Sequence, residues 1–439
     1  WTALEDAGYV GQATQGQPVG VYVGASASDY RSLFAEAAPA QAFWGNASSI
    51  IPARIAYHLD LQGPAIAVDT ACSSSLVAIH LACQALWTEE IDMALAGGVF
   101  VQSTAGFYQA AQTAGMLSPS GHCHAFDARA DGFVPAEGVG VVILKRLRQA
   151  QADGDHIHAV ISGIGSNQDG ASNGITAPSA QSQERLIRQV HREFAIEPAT
   201  ISLVEAHGTG TPLGDPIEFE GLTRAFARPG QQHGYCALGS IKSNLGHCVT
   251  AAGVAGVLKV ALALRHGQLP PAAGFTQANA AIALEGSPFY VPNHLSPWTP
   301  PAGVPRRASV SSFGFSGTNA HLVMEQAPAP QDRRAPGAGP WLVVLSARSA
   351  EQLREQASNL VAHCVAGQRL DIAAMAYTLM AGRKHHEWRL ALVANDVGQV
   401  QRSLENWLHG RDEATVHSGH WDVRRFVEQQ EVLQAAREG

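Results

Sequence analysis

The stretch from Val68 to Ala82, VDTACSSSLVAIHLA, constrains the fold of this chain most strongly. A short β-type run ends at Thr70, Cys72 and small hydroxyl residues follow, and an apolar segment then continues to Trp87 without glycine or proline. This order predicts a strand, a sharp turn and a helix, with a thiol at the turn. Because the helical segment is apolar on nearly every face, we expect it to be buried in the centre of a domain, with Cys72 at the bottom of a pocket.

The position of Cys72 predicts a nucleophile. In the first turn of a helix, free backbone N–H groups and the helix dipole favour negative charge, so the thiolate form of the side chain is expected to be stabilised. The alternative is that Cys72 is a small buried hydrophobic residue, as most free cysteines are. The local spacing alone leaves both interpretations open.

Composition excludes several classes of protein. Apolar residues make up 46% of the 439 residues and charged residues 15%, which predicts a sizeable core. The net charge of −8 argues against nucleic acid as a partner. We expect no membrane span, because the most apolar helix, near Ala251 to Leu264, is interrupted by Lys259. Six cysteines without a regular framework and no visible signal peptide predict a cytoplasmic protein.

Apolar β-type runs alternate with helical segments along the first three quarters of the chain, which predicts an α/β protein with largely buried strands. The predicted strands are Val19 to Gly24, Ala65 to Asp69, Met93 to Gly98, Gly140 to Leu144, Ala159 to Ile164 and Ile201 to Glu205, and one helix is predicted over Ser48 to Leu59. A second strand, turn and small-residue helix at Ala237 to Leu264 echoes the unit around Cys72. We therefore expect an internal duplication.

The segment 327–340, APAPQDRRAPGAGP, is typical of an extended linker and predicts a domain boundary. Beyond it we predict a small α/β module over 341–439, cut short at Gly439. Its predicted elements are a strand at Trp341 to Leu345, a helix at Glu351 to Cys364 with a capping box from Ser349 to Gln352, a helix at Asp371 to Ala381 and a strand at Arg389 to Ala394. The chain opens on a helix end that stops at Gly8 without an initiator methionine, so we expect an N-terminal part to be missing.

The stretch 205–216, EAHGTGTPLGDP, places His207 directly after a predicted buried strand. Its glycines allow the backbone to approach a ligand closely, and Thr209 and Thr211 offer hydroxyls at alternate positions. Asp215 and Pro216 form an N-cap and first-turn pair, so we interpret Asp215 as structural. The stretch lacks the glycine spacing and the lysine of a nucleotide-binding loop.

Lys242 and His247 lie in GSIKSNLGH, before a helix rich in alanine and glycine. A lysine and a histidine beside a buried helix are costly to desolvate unless they are paired or functional. The alternatives are that Lys242 extends to the surface and that His247 forms a capping hydrogen bond. A further glycine-rich stretch, SSFGFSGTNAH at 311–321, has N–H groups that could complete an oxyanion hole, or it is only a turn beside a core strand.

The stretch around Cys72 resembles the nucleophile motif of β-ketoacyl synthases, the condensing enzymes of fatty acid and polyketide assembly. The motifs around His207 and around Lys242 and His247 match the rest of that family's Cys, His, His set and its lysine, in order and in local context. The resemblance implies a thiolase-like fold of two similar halves with buried central helices. It also implies that Phe315 gates the acyl pocket and that its N–H pairs with that of Cys72 in the oxyanion hole.

The resemblance implies a decarboxylative Claisen condensation, and hence an acyltransferase. Cys72 would take an acyl chain from the phosphopantetheine arm of an acyl carrier protein, and His207 and His247 would stabilise the enolate left when a malonyl carrier protein loses carbon dioxide. Lys242 would organise charge around His207. Thr209 and Thr211 would bind the pantetheine arm. The domain itself is expected to bind no cofactor, because the phosphopantetheine is supplied on the carrier protein. No metal is expected either, since His122, Cys123 and His124 are too tightly spaced, without distant matching ligands, for a strong zinc site.

Finer resemblances concern the type of synthase. The sequences of 121–127, GHCHAFD, and 235–240, YCALGS, are similar to those of modular polyketide synthases of the trans-acyltransferase kind. Such synthases rely on a separate acyltransferase. The synthase domain would then cover 1–326, and 341–439 would be the linker subdomain that follows it in such modules. Two carrier proteins, acyl donor and malonyl donor, and a homodimer are implied as partners.

Four alternatives stay open at this point. A degradative thiolase also uses a reactive cysteine but would lack the His207 loop. A non-elongating relative, which only transfers acyl chains, usually lacks the first histidine. A decarboxylating loading variant would have glutamine in place of Cys72, and a fatty-acid-type condensing enzyme would share the set. The presence of Cys72 and His207 favours an elongating polyketide enzyme.

Overall fold

The computed structural model describes residues 1–34, 38–228, 230, 232–329, 339–365, 370–411 and 413–421. It forms two compact units, one of residues 15–328 and one of residues 1–14 together with 329–439. Most of the predicted linker 327–340, and the predicted truncation at Gly439, lie outside the described residues.

The larger unit consists of alternating strands and helices. Its strands are β1 (Val19–Gly24), β2 (Ala65–Val68), β3 (Met93–Phe100), β4 (Gly138–Lys145), β5 (Ala159–Gln168), β6 (Leu203–Glu205), β7 (Cys236–Gly239), β8 (Gln268–Leu269), β9 (Phe289–Tyr290), β10 (Ser296–Pro297), β11 (Arg307–Phe313) and β12 (Thr318–Gln326). After α1 (Thr2–Ala7) of the other unit, its helices are α2 (Ala42–Gly45), α3 (Ile50–Leu59), α4 (Ser74–Trp87), α5 (Gly106–Thr113), α6 (Leu147–Asp153), α7 (Ala180–Glu193), α8 (Gly214–Phe226), α9 (Lys242–Leu245) and α10 (Ala252–His266).

The strands form two main sheets with matching topology. The first has the order β2-β1-β3-β4 and the second β5-β12-β11-β6-β7-β9. Each sheet contains parallel strands, and one further strand, β4 or β12, pairs antiparallel with β3 or β11. The strand before the Cys72 turn, β2, corresponds to the strand before the Lys242 turn, β7. The predicted α/β class and the predicted duplication of a strand, turn and helix agree with this arrangement.

Two apolar helices, α4 and α10, fill the space between the sheets. Helix α4 packs on β1 and β3, α10 packs on β11, and the two helices contact each other. The N–H of Val254 at the start of α10 donates to Ser75 Oγ at the start of α4, 3.0 Å away. The prediction of a buried helix after Cys72 is confirmed, since ten of its residues are buried.

The expectation that no segment is long and apolar enough to span a membrane is wrong by length and composition. The segment 249–266 passes such a test in spite of Lys259, and 61% of it is buried inside the structure. A mostly buried core helix passes the same test as a membrane span, and the position of α10 between two sheets accounts for its apolar character.

The smaller unit contains α1 and a three-stranded antiparallel sheet, β13-β14-β15, with three helices. Its further elements are β13 (Trp341–Ala347), α11 (Ala350–Val365), α12 (Ile372–Ala381), β14 (Trp388–Ala394), α13 (Val397–Leu408) and β15 (Val416–His420). Helix α1 ends at Gly8, whose φ of 77° is the left-handed conformation that glycine allows. One of the two hydrogen bonds of the predicted capping box is present: the Gln352 N–H donates to Ser349 Oγ at 3.2 Å.

Sheet pairing moves several strand ends away from the predicted ones. Strand β3 extends two residues beyond Gly98, to Phe100, because its whole length pairs with β4. Strand β5 extends to Gln168 because it pairs with β12. Hydrogen bonds between strands that are distant in the chain therefore set these limits.

Gly24, the last residue of β1, lets the first sheet approach the nucleophile helix. A Cβ at this position would lie 2.4 Å from the backbone nitrogen of Ser75 and 2.6 Å from the carbonyl carbon of Ser74. Since both atoms belong to the backbone of α4, no side-chain rearrangement could make room.

Gly24→Ala is expected to lower the free energy of unfolding by about 1–3 kcal/mol, because α4 must move away from β1. Urea unfolding followed by circular dichroism measures this. Gly45→Ala is the matched control, since a Cβ at Gly45 meets nothing within 4 Å. Equal stability of the two variants would contradict the assigned contact.

Candidate active site

The turn between β2 and α4 exposes Cys72 to the site. Ala71 has a φ of 57°, a conformation that is strained for a residue other than glycine, and it begins a short 3-10 turn, Ala71–Ser73. Cys72 lies in this 3-10 turn, two residues before α4 begins, and thus in the first turn of the continuous helical segment Ala71–Trp87, as predicted. Ser74 Oγ donates to the Ala71 carbonyl oxygen at 2.6 Å and holds the turn.

The predicted stabilisation of the Cys72 thiolate is outweighed by burial. Cys72 is 8% exposed, and burial raises the pKa of its thiol to about 11. The positive charge of Lys242, the N–H of Phe315 and the N–H of Cys72 itself act in the opposite direction and lower this pKa. The resting side chain is therefore a thiol at neutral pH, and donors that could stabilise negative charge already surround it.

His247 lies against Cys72. Its Nε2 is 3.2 Å from Cys72 Sγ, and its Nδ1 accepts the N–H of Val249 at 3.2 Å. The ring of Phe133 packs edge-on to the imidazole, with a centroid distance of 5.2 Å. The alternative that His247 forms a capping hydrogen bond is therefore true of Nδ1, which accepts a backbone N–H. The other ring nitrogen, Nε2, faces the Cys72 sulfur.

His207 follows β6 and reaches the same point from the second sheet. Its Nδ1 accepts the N–H of Phe313 at 3.3 Å. Its ring lies 5.5 Å from that of His247, nearly perpendicular to it. Gly208 has a φ of 34°, and a Cβ there would lie 2.8 Å from the Cβ of Ser240. The turn after β6 therefore requires glycine for close approach.

The structure brings Cys72, His207 and His247 together although they are far apart in the chain. One ligand-type atom from each of the three lies within 4.8 Å of the others. Burial lowers the pKa of both imidazoles well below the ordinary value of 6.5, and the charge of Lys242 lowers both further. Both rings are thus neutral at physiological pH.

The hydrogen bonds at Nδ1 determine the tautomers of the two neutral rings. A nitrogen that accepts a backbone N–H carries no proton, so in both His207 and His247 the proton is on Nε2. His247 Nε2 lies 3.2 Å from Cys72 Sγ, and one ring nitrogen of His207 lies within 4.8 Å of the same sulfur. The site therefore presents two neutral N–H donors to one small volume, which suits a developing oxyanion or enolate oxygen.

The same tautomers disfavour a metal at this cluster. Within the residues that the structure describes, these three side chains form the grouping with metal-ligand spacing. A metal would need the Nε2 lone pairs, and the proton would then have to move to Nδ1, where a backbone N–H already donates. The donor set is built to donate hydrogen bonds.

Lys242 is 4% exposed, so it does not extend to the surface. Its ammonium donates to the carbonyl oxygen of His207. Burial lowers its pKa, and Glu205 and Glu218 raise it. Lys242 thus donates to the backbone of His207, and its charge acts on the His207 ring by lowering the pKa of that ring.

Glu218 is a further residue of the site that the sequence motifs did not indicate. It is 3% exposed, and its two carboxylate oxygens accept the N–H groups of His207 and Gly208, both at 2.7 Å. Burial raises its pKa to about 7. The spacing of Asp215 and Glu218 on one face of the helix after the His207 loop is the sequence signal that could have identified it.

Asp215 is structural, but it is not the N-cap of α8. The cap position is occupied by Leu213, and the Asp215 carboxylate accepts the N–H groups of Phe126 at 2.6 Å and Gly210 at 3.1 Å. Burial raises its pKa to about 6. The carboxylate therefore holds two loops around the site together.

The remaining predicted residues lie at the edge of the site. The hydroxyls of Thr209 and Thr211 are 3.2 Å apart, and Thr211 Oγ1 accepts the N–H of Gly214 at 3.1 Å. The Phe315 side chain is 55% exposed. Gly314 beside it packs on the nucleophile turn, since a Cβ there would be 2.3 Å from the Thr70 carbonyl oxygen.

Three family models match this chain. They are the β-ketoacyl synthase N-terminal domain over residues 1–150, the β-ketoacyl synthase C-terminal domain over 158–276 and the CurL-like polyketide synthase C-terminal model over 341–404. The chain belongs to the β-ketoacyl synthase family. As a ketosynthase it is an acyltransferase-class enzyme, and its two-sheet architecture is the thiolase-like fold that the sequence resemblance implied.

Relatives place it among polyketide synthases. Polyketide synthase PksL of Bacillus subtilis is 46% identical over 427 residues, which are 97% of this chain and 9% of that protein. A mycocerosic acid synthase-like polyketide synthase of Mycolicibacterium smegmatis is 45% identical over 93% of this chain and 20% of its own length. This ketosynthase thus spans a small fraction of these multidomain relatives.

Solved structures of ketosynthases have the same fold as this chain. The ketosynthase from module 6 of the bacillaene synthase of Bacillus subtilis is 46% identical, with a TM-score of 0.89 over 95% of this chain and 71% of that chain. An oxazolomycin ketosynthase domain of Streptomyces albus is 38% identical, with a TM-score of 0.87 over 96% of this chain and 73% of that chain.

Both site histidines are expected to keep the Nε2–H tautomer and to remain uncharged from pH 8 down to pH 5.5, because their folded-state pKa values lie well below 6.5. Long-range ¹H–¹⁵N correlation spectra of ¹⁵N-histidine-labelled protein, with His207→Phe and His247→Phe for assignment, measure this. Titration of either ring near pH 6.5, or a proton on Nδ1, would rule out the assigned hydrogen bonds.

Proposed function

We propose that this ketosynthase elongates polyketide chains by decarboxylative Claisen condensation between an acyl chain on Cys72 and a malonyl group on an acyl carrier protein. The observation that carries the proposal is the convergence of two imidazoles, His207 and His247, on the Cys72 sulfur, with one nitrogen of each ring and the sulfur within 4.8 Å of one another. A transfer reaction alone would need the sulfur and an oxyanion hole, and not a second imidazole aimed at the same volume.

In the first half-reaction, Cys72 Sγ attacks the carbonyl carbon of an acyl thioester on the phosphopantetheine arm of the upstream carrier protein. The oxyanion that forms is held by the N–H groups of Cys72 and Phe315, which already point at the sulfur. The carbon–sulfur bond to the pantetheine breaks, and the thiol proton of Cys72 leaves with that sulfur. The raised pKa of Cys72 is consistent with proton loss during the attack.

In the second half-reaction, the malonyl carboxylate leaves as carbon dioxide, and the electron pair of the broken bond forms an enolate. The Nε2–H groups of His207 and His247 stabilise the enolate oxygen. The enolate carbon attacks the thioester carbon on Cys72, the sulfur leaves as thiolate and takes up a proton, and a β-ketoacyl carrier protein is released.

Lys242 acts on this step through the backbone of His207, to whose carbonyl it donates. Thr209 and Thr211 are proposed to bind the pantetheine arm, and Phe315, with its exposed ring, to gate the entrance. Burial of the sulfur keeps water from the acyl-enzyme, which would otherwise be hydrolysed.

The remaining assignments are proposals of the same kind. The proposed synthase domain covers residues 1–326 and the proposed linker subdomain 341–439, beyond the segment 327–340, although residues 1–14 belong to the same compact unit as 329–439. Phosphopantetheine arrives on the carrier proteins, and the domain itself binds no cofactor. The likeness to bacillaene and oxazolomycin ketosynthases supports a trans-acyltransferase synthase with a separate acyltransferase partner. The six cysteines are free thiols, in keeping with a cytoplasmic location.

A homodimer through β2 is supported by the exposed edge of the first sheet. Strand β2 is the end strand of that sheet, and Ile66 on it is 39% exposed. Tyr57 on the adjacent helix α3 is 83% exposed. An uncovered edge strand with apolar residues pairs readily with another strand, and a second copy of β2 would continue the sheet across a two-fold axis.

Malonyl carrier protein and an acyl pantetheine thioester are expected to yield a two-carbon-longer β-ketoacyl product and carbon dioxide. Cys72→Ala abolishes acylation, and His207→Ala keeps acylation but lowers carbon dioxide release by about 10²–10³-fold, the usual loss for one oxyanion donor. Mass spectrometry and ¹⁴C-labelled carbon dioxide release measure the two steps, with Cys364→Ala as the control thiol variant. Acylation of the wild type without carbon dioxide release would support the transfer-only alternative instead.

Ile66→Lys is expected to shift the protein toward monomer, because a charge on the edge strand disfavours pairing. Light scattering coupled to size-exclusion chromatography measures the mass. Val139→Lys is the matched control on the opposite edge strand, β4, where Val139 is 74% exposed. If the protein stays dimeric in Ile66→Lys and becomes monomeric in Val139→Lys, the interface lies at β4 and the proposed dimer through β2 is wrong.

A further inference from the structure

A buried ion pair lies directly behind the two-histidine site and has no role in the chemistry described above. Glu205 is the last residue of β6, two residues before His207, and Lys259 is the charge that interrupts the apolar helix α10. Their side chains are 1% and 11% exposed. Burying two charges is costly, and such a pair adds little stability compared with apolar residues, so its presence in the core calls for a further reason.

The Glu205 carboxylate connects three elements that carry the site. One oxygen, Oε2, pairs with the Lys259 ammonium on α10. The other, Oε1, accepts the N–H of Ile241 at 2.6 Å. Ile241 is the residue directly before Lys242 and the N-cap of α9. One carboxylate thus joins the strand before His207, the turn that carries Lys242 and the helix that follows His247.

The surrounding backbone leaves room for this carboxylate and its partner. A Cβ at Gly256 of α10 would lie 3.1 Å from Cγ of Glu205, and a Cβ at Gly239 would lie 3.4 Å from the Lys259 nitrogen. The N–H of Ala206 donates to the carbonyl oxygen of Gly239 at 2.9 Å. The ion pair is therefore packed between β6, β7 and α10 with little freedom to move.

The charge of Glu205 also acts on Lys242. Burial lowers the pKa of Lys242, and among the groups that raise it Glu205 has the largest effect, ahead of Glu218. The protonated ammonium of Lys242 is the form that donates to the carbonyl oxygen of His207. The negative charge behind the site therefore favours the form of Lys242 that holds His207.

We propose that Glu205 is a positioning residue for the enolate-forming step, held in place by Lys259, and that it acts on His207 through Ile241 and Lys242 without touching substrate. The inference rests on the proposed function in assigning this effect to carbon dioxide release. It assigns no role to Glu205 in the acylation of Cys72, because the acylation donors belong to Cys72 and Phe315.

Glu205→Gln is expected to lower carbon dioxide release from malonyl carrier protein by about 10-fold. This is the usual loss when a residue that orients a functional side chain is removed. Cys72 acylation should change by less than about 2-fold. The alkaline limb of the pH profile for carbon dioxide release should move to lower pH, because Lys242 loses a negative neighbour and gives up its proton more easily.

Lys259→Met is the matched variant. It keeps the Glu205 carboxylate and its bond to the Ile241 N–H but removes a positive charge, so the alkaline limb should stay or move to higher pH. The double variant, Glu205→Gln with Lys259→Met, should recover the stability lost by either single change, because no unpaired charge stays buried. It should not recover carbon dioxide release.

Urea unfolding of all three variants separates folding from positioning. If acylation and carbon dioxide release fall equally in Glu205→Gln, in step with its stability, and the alkaline limb does not move, the pair is only structural and the inference is overturned. Histidine ¹⁵N spectra provide a readout apart from activity: Glu205→Gln should shift the ring signals of His207 and leave those of His294 unchanged. If the wild type releases no carbon dioxide, the proposed function fails, and the His207 spectra still decide whether Glu205 positions that ring.

Discussion

The site depends on two backbone N–H groups that donate to imidazole nitrogens. The N–H of Phe313 donates to His207 and that of Val249 to His247, in each case at Nδ1. Because each neutral ring accepts at Nδ1, it must donate at Nε2. The chemistry of the site follows from this constraint: two imidazoles that donate hydrogen bonds suit a negative charge that develops on oxygen.

Burial is the second determinant, and it acts on every titratable group of the site in the direction of the neutral form. It lowers the pKa of the two histidines and of Lys242, and it raises that of Cys72 to about 11 and that of Glu218 to about 7. Neutral imidazoles and a protonated thiol give a resting site with little charge, in which fixed N–H dipoles are strong. The carboxylates of Glu205 and Glu218 oppose this effect at Lys242, because they raise its pKa and so favour its charged form.

The duplicated architecture explains why these groups can meet. Helices α4 and α10 lie side by side between two sheets, and each follows a turn at the end of a strand. One turn carries Cys72 and the other leads to His247, so the duplication brings a nucleophile and a donor to the same layer. His207 joins them from the end of β6, the strand next to β7 in the second sheet.

The sequence by itself determined the α/β class and the buried helix after Cys72, because these depend on local patterns of apolar, small and polar residues. Local patterns left the roles of Cys72, His207, Lys242 and His247 open, and only their resemblance to β-ketoacyl synthase motifs joined them into one candidate set. Only the tertiary structure decided which nitrogen of each ring accepts a backbone N–H, that burial outweighs the helix dipole at Cys72, and that Glu218 holds the His207 loop. Each of these depends on groups far apart in the chain, whose distances and desolvation arise only when the two sheets close around the central helices.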